Sequence, residues 1–69
     1  MTQVISSIPL AIKLVEVVKR TSLSRSSVRR RIKDGKFPKS FHLGHGRAVA
    51  WLSSDIDAWV VAQAASRYE

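Results

Sequence analysis

The chain has no cysteine. That excludes a disulfide and any thiolate-held metal. It also has few acids, five against twelve lysines and arginines. Its apolar runs fall far short of the roughly 20 residues a membrane span needs. The first twelve residues show neither a positively charged start nor a small-residue cleavage box, so no secretory signal is expected. These gaps point to a cytoplasmic, soluble protein with no cofactor and no membrane partner. What remains is 69 residues, one domain over 1–69 with Met1–Ser7 as a loose lead-in. A core this small leaves stability marginal.

Against that background the charge stands out. The net charge is +7 with a pI near 11.0. Lys13–Arg47 holds eleven basic and two acidic residues, a net of +9, while Ala48–Glu69 nets −2. Charge used only for solubility is usually interspersed. Charge concentrated in one half of a small domain points to a polyanionic partner.

The pattern along the chain is helix, tight turn, helix, hairpin, helix. Ile8–Lys13 reads as a short extended segment. Leu14, Val17 and Val18 repeat at helical spacing. Ser24 is suited to cap a second helix over Arg25–Asp34. Leu23 and Val28 are placed for a hydrophobic staple, and Val28 and Ile32 for a buried stripe. Gly35 and Pro38 end that helix. Phe41 and Leu43 alternate with His42, and Val49 and Trp51 alternate with Ala48 and Ala50. Gly44-His45-Gly46 lies between, so the stretch reads as a β-hairpin. Ser54 and Asp57 have capping-box spacing before a last helix with Ile56, Trp59 and Val60 on one face. This predicts an α+β fold, a small winged helix-turn-helix with two short helices, a hairpin wing and a C-terminal helix.

Setting Val28 and Ile32 toward the core and stepping 100° per residue turns Arg30 almost directly outward. Ser26, Lys33 and Arg29 lie on one side of it and Ser27 on the other. Arg31 falls nearer the core edge, where it can snorkel along the surface. A helix built only for stability would place glutamates four residues before its lysines; this face has no acid until Asp34. Arginine can donate two hydrogen bonds to a guanine edge in the major groove. The candidate DNA-binding residues are therefore Arg25, Ser26, Ser27, Arg29, Arg30 and Lys33 on the second helix. His45 and Arg47 on the wing are placed to reach the backbone or minor groove.

The stretch from Leu14 to about Val60 resembles the AlpA family of phage and prophage regulators. The likeness is carried by "LSRSSV", "IKDGKFPK" and "GRAVAW…SDIDAW". The resemblance implies kinship with excisionases and, more distantly, with MerR-type winged helices. It implies a duplex-DNA-binding regulator, for example of an integrase gene, or a recombination directionality factor. The second helix would enter the major groove, with an integrase as a candidate second partner and self-association on DNA a further candidate. Glycine is common in such relatives where Ser22 stands, so a different or a strained corner is expected there. An aromatic is common where Arg29 stands.

Other classes fit less well. No nucleophile–base–acid set suggests an enzyme. His42 and His45 lack further ligands for a metal. Trp51 and Trp59 could stack on single-stranded bases, but their spacing suits the core. The Val28/Ile32 stripe is too narrow to anchor a membrane-surface helix. The alternative from another class is an adaptor that docks on an integrase or another regulator, with DNA secondary.

Overall fold

The structure is a computed structural model and describes residues 10–67. The lead-in expected over Met1–Ser7 lies outside these residues. The order is β1 (Ala11–Ile12), α1 (Leu14–Thr21), α2 (Arg25–Lys33), β2 (Phe41–His42), β3 (Val49–Leu52) and α3 (Ser53–Ser66). The α+β expectation holds, with one addition. The hairpin β2–β3 is joined by β1 into a three-stranded antiparallel sheet of order β1-β3-β2. Ile12 pairs with Trp51 and Ala11 with Leu52. The amide of Leu10 donates to Ser53 Oγ at 2.8 Å, and the Ser53 amide donates back to the Leu10 carbonyl at 2.7 Å. Two short strands alone would be marginal; this clamp fixes the third strand where β3 becomes α3.

The two central helices are short, and their ends are defined by the local sequence. α1 ends at Ser22, which takes a left-handed conformation at φ 61° and donates its amide to the Val18 carbonyl at 2.9 Å. Thr21 Oγ1 donates to the Val17 carbonyl and accepts from the Leu23 amide. The corner between α1 and α2 thus uses side-chain bonds as well as a strained backbone. Ser24 caps α2 as its sequence predicts, accepting the Ser27 amide at 3.1 Å. Leu23 packs against the core cluster that includes Val28. α2 closes one residue earlier than expected, with Asp34 at the cap. Gly35 follows at φ 73°. Its amide donates to Ile32 and that of Lys36 to Arg31, at 3.1 and 2.8 Å. This is the Schellman pair of bonds that satisfies two otherwise orphaned carbonyls.

The core is Ile12, Val17, Val28, Phe37, Trp51 and Ile56, with Leu14, Leu23, Val49 and Trp59 packed against it. Several sequence expectations change here. Ile32 does not share Val28's burial; it is 42% exposed. Phe37, which the sequence offers only as part of a helix stop, supplies the missing apolar contact. The chain turns at Gly35 and carries the phenyl ring into the core, against Trp59. Trp59 lies at the edge of the core rather than within it. The strand register sets Phe41 opposite Ala50 and His42 opposite Val49. Since cross-strand partners share a face, Phe41 and Leu43 lie on the side of the sheet away from Trp51. The capping box at Ser54 and Asp57 does not form. α3 already begins at Ser53, preceded by Leu52 with no side-chain cap bond, and the Asp57 carboxylate is taken by Arg20.

Candidate nucleic-acid interface

α2 owes its fixed position to three supports. Ser24 closes its N-terminus, Val28 is fully buried on its inner side, and the Schellman turn hands the chain to Phe37. On the outer side Arg25, Ser26, Arg29, Arg30 and Lys33 are exposed. Arg25, Arg29 and Lys33 follow one another at i, i+4 and i+8 and form one row; Ser26 and Arg30 form a second beside it. Arg20 forms ion pairs with Glu16 and with Asp57. None of the four exposed cations of α2 takes part in an ion pair with a described residue. The face is therefore a set of uncompensated positive charges on a rigid cylinder.

Ser27 is placed differently from its expectation. It is half-buried, and Ser24 Oγ lies 3.1 Å from both its amide nitrogen and its hydroxyl oxygen. Its amide is committed to the cap, which leaves only its hydroxyl for another partner. Arg31 falls at the core edge as the helical angle predicts. Its guanidinium carbon stands 5.8 Å from the centroid of the Trp59 ring, a cation–π distance. Its Nε is buried with no hydrogen-bond partner. Ser27, Arg30, Arg31, Asp34 and Lys36 line a shallow, open pocket beside the end of α2. The sequence singles out neither Lys36 nor this pocket. Lys36 stands just past a glycine stop, and only the turn geometry brings it back beside Arg31.

The wing spans Gly44–Arg47 between β2 and β3. It is closed by the Leu43 amide donating to the Ala48 carbonyl at 2.9 Å. Gly44 and Gly46 take φ values of 66° and 103°, and His45 and Arg47 are exposed. The wing is tied to the end of α2 through the core: Trp51 Nε1 donates to the Pro38 carbonyl at 3.1 Å. The chain leaving α2 is thus bonded to the strand that bears the wing, so the two exposed basic elements belong to one framework.

Among the described residues no three histidine, cysteine or acidic side chains gather as metal ligands would. No helix among them is long and apolar enough to cross a membrane.

The family profile described as "Prophage CP4-57 regulatory protein (AlpA)" matches residues 11–64, from β1 through most of α3. A curated protein of Enterobacteria phage P4, "Uncharacterized protein ORF88", is 39% identical over 56 residues. That match covers 81% of this chain and 62% of the phage protein, so the chain spans less than two thirds of that relative's length. No solved structure matches the chain significantly.

Proposed function

We propose, because this chain belongs to the AlpA family of prophage regulatory proteins, that it regulates by binding double-stranded DNA in a sequence-specific way. The observation that carries this reading is the face of α2: five cations in nine residues, four of them on the exposed face and none of those four ion-paired among the described residues. Like charges so close repel one another, and a phosphate backbone relieves that repulsion while releasing counterions. α2 enters the major groove. Arg29 and Arg30 read base edges; Arg25, Ser26 and the Ser27 hydroxyl contact phosphate or base edges near the helix start, and Lys33 does so near its end. Arg47 and His45 reach the flanking backbone or minor groove. As a regulator the protein controls a gene of its element, such as an integrase gene, or sets the direction of recombination as excisionases do. It works in the cytoplasm, self-associates on DNA where sites are adjacent, and can act beside an integrase.

The test is a mobility-shift titration with duplexes from the region flanking its own gene, at two salt concentrations. The parent should bind one segment in preference to a scrambled duplex and weaken steeply with salt. The double variant Arg29→Ala/Arg30→Ala should lose the preference while its circular dichroism stays unchanged. Parent-like binding by that variant removes the groove assignment.

One observation favours a second reading. Phe41, Leu43 and Leu52 are 37%, 40% and 38% exposed on the outer face of the sheet, where an apolar partner could dock. An adaptor of that kind would show DNA binding that is weak and barely sensitive to salt.

A further inference from the structure

The three cations around the pocket at the end of α2 are more than extra charge. Arg31 is held in place before any ligand arrives. Its guanidinium lies over the Trp59 ring and its Nε is enclosed. Trp59 is itself fixed twice: its Nε1 donates to the Lys36 carbonyl at 3.1 Å, and its ring meets that of Phe37 at 4.9 Å between centroids, tilted by 58°. Lys36 is fixed in turn by its amide, bonded to the Arg31 carbonyl. Arg31, Lys36 and Trp59 therefore form a closed ring of contacts at one corner. The Arg31 side chain makes no hydrogen bond or ion pair with any described residue. Asp34 also lines the pocket, yet it pairs with none of the three cations. The pocket thus keeps an excess of positive charge and guanidinium donors without an acceptor.

We propose that Arg31 and Lys36 seat one phosphate of the duplex backbone at this corner, with Trp59 as the positioning residue. The proposal rests on the DNA reading above and adds a contact to it. Arg31 is turned one residue step, about 100°, from the outward-facing Arg30. Its reach is sideways, toward the wall of a groove rather than its floor, and phosphates form that wall. A planar guanidinium held over an indole face keeps its fork geometry and loses little further freedom when it meets a phosphate. The open shape of the pocket suits a phosphate delivered by a polymer that α2 already holds.

The test uses the full chain with a duplex it prefers and a scrambled duplex, followed by fluorescence anisotropy over a range of salt. Arg31→Ala and Lys36→Ala should each weaken both duplexes to the same extent. Each should also lower the slope of log K against log salt, and the double variant should lower it by about 0.9, the value for one lost phosphate contact. Arg31→Lys should keep the slope but bind less tightly than the parent. In nitrogen–proton spectra the Trp59 indole and Arg31 Nε signals should move when duplex is added. An unchanged slope in both alanine variants, with the parent still binding, overturns the seat and leaves the DNA reading standing. Parent protein that binds no duplex overturns both. Inorganic phosphate that moves the same two signals at matched ionic strength overturns the backbone assignment in favour of a free anion. Lys36 is exposed, so its variant keeps the test usable if Arg31→Ala fails to fold.

Discussion

Arg20 Nη1 meets both carboxylate oxygens of Asp57, at 3.0 and 3.1 Å, and so ties α1 to α3 across 37 positions of sequence. The same guanidinium donates through Nε to Glu16 on its own helix at 3.2 Å. The two acids hold the Arg20 guanidinium firmly protonated, the bond to Glu16 being the stronger influence and that to Asp57 the next. Arg20 is thereby removed from the cationic surface available to DNA. Asp57→Asn should lower the melting temperature only slightly, because an exposed pair contributes little, and the loss should shrink as salt rises. DNA affinity should not fall; it should rise slightly, since one negative charge is lost and Arg20 keeps only Glu16 as its partner. Thermal melts at low and high salt, with a parallel DNA titration, check both parts.

The corner residue Ser22 should respond in the opposite direction. Its φ of 61° costs a residue with a side chain about 1–2 kcal/mol relative to ordinary backbone. Glycine adopts that conformation freely, although it loses more entropy on folding. Ser22→Gly should therefore stabilise the fold by roughly 0.5–1 kcal/mol, which raises the melting temperature of a domain this size by about 2–8 °C. A melting temperature equal to or below the parent's would mean that the corner is not strained.

Ser22 also shows how far the sequence could be read. The order of the elements, the Ser24 cap, the Gly35 stop and the outward Arg29/Arg30 face follow from local rules that act within a few residues. Those parts were legible. What could not be read depends on contacts between distant residues. Phe37 enters the core because the turn after Gly35 folds it back, and Ile32 is then left at the surface although its spacing from Val28 is correct. Asp57 has capping-box spacing, but Arg20 takes it and the Leu10–Ser53 clamp moves the start of α3. Strand register likewise depends on pairing, so alternation alone did not show which face Phe41 and Leu43 take. Lys36 joined the site only once the chain reversal was known.

The exchange of Ile32 for Phe37 leads to a sharp comparison. Ile56 is fully buried, whereas Ile32 is not. Ile56→Ala should cost about 2–5 kcal/mol through lost burial and a cavity. That is a large share of the roughly 3–10 kcal/mol expected for a chain of this length. Ile32→Ala should change stability by under about 1 kcal/mol. Urea titrations of the two variants measure both. Equal losses would show that Ile32 is core after all.

The wing offers a test in which sterics and backbone strain separate. A Cβ added at Gly44 or at Gly46 would meet no atom within 4 Å, so neither position forbids a side chain by crowding. The backbone differs. Gly44 lies at φ 66°, within the left-handed region that asparagine tolerates, while Gly46 lies at φ 103°, outside it. Gly44→Asn should leave the wing intact, and with it the affinity for duplex DNA. Gly46→Asn should distort the loop that presents His45 and Arg47 and weaken DNA binding, without lowering the melting temperature of the core by more than a few degrees. Arg47→Ala provides the reference: it should weaken binding to all sequences alike and reduce the salt slope by about 0.9. If Gly46→Asn binds as the parent does while Arg47→Ala does not, the loop tolerates the change and its glycine serves no conformational need. If neither variant loses affinity, the wing does not touch DNA, and recognition rests on α2 alone.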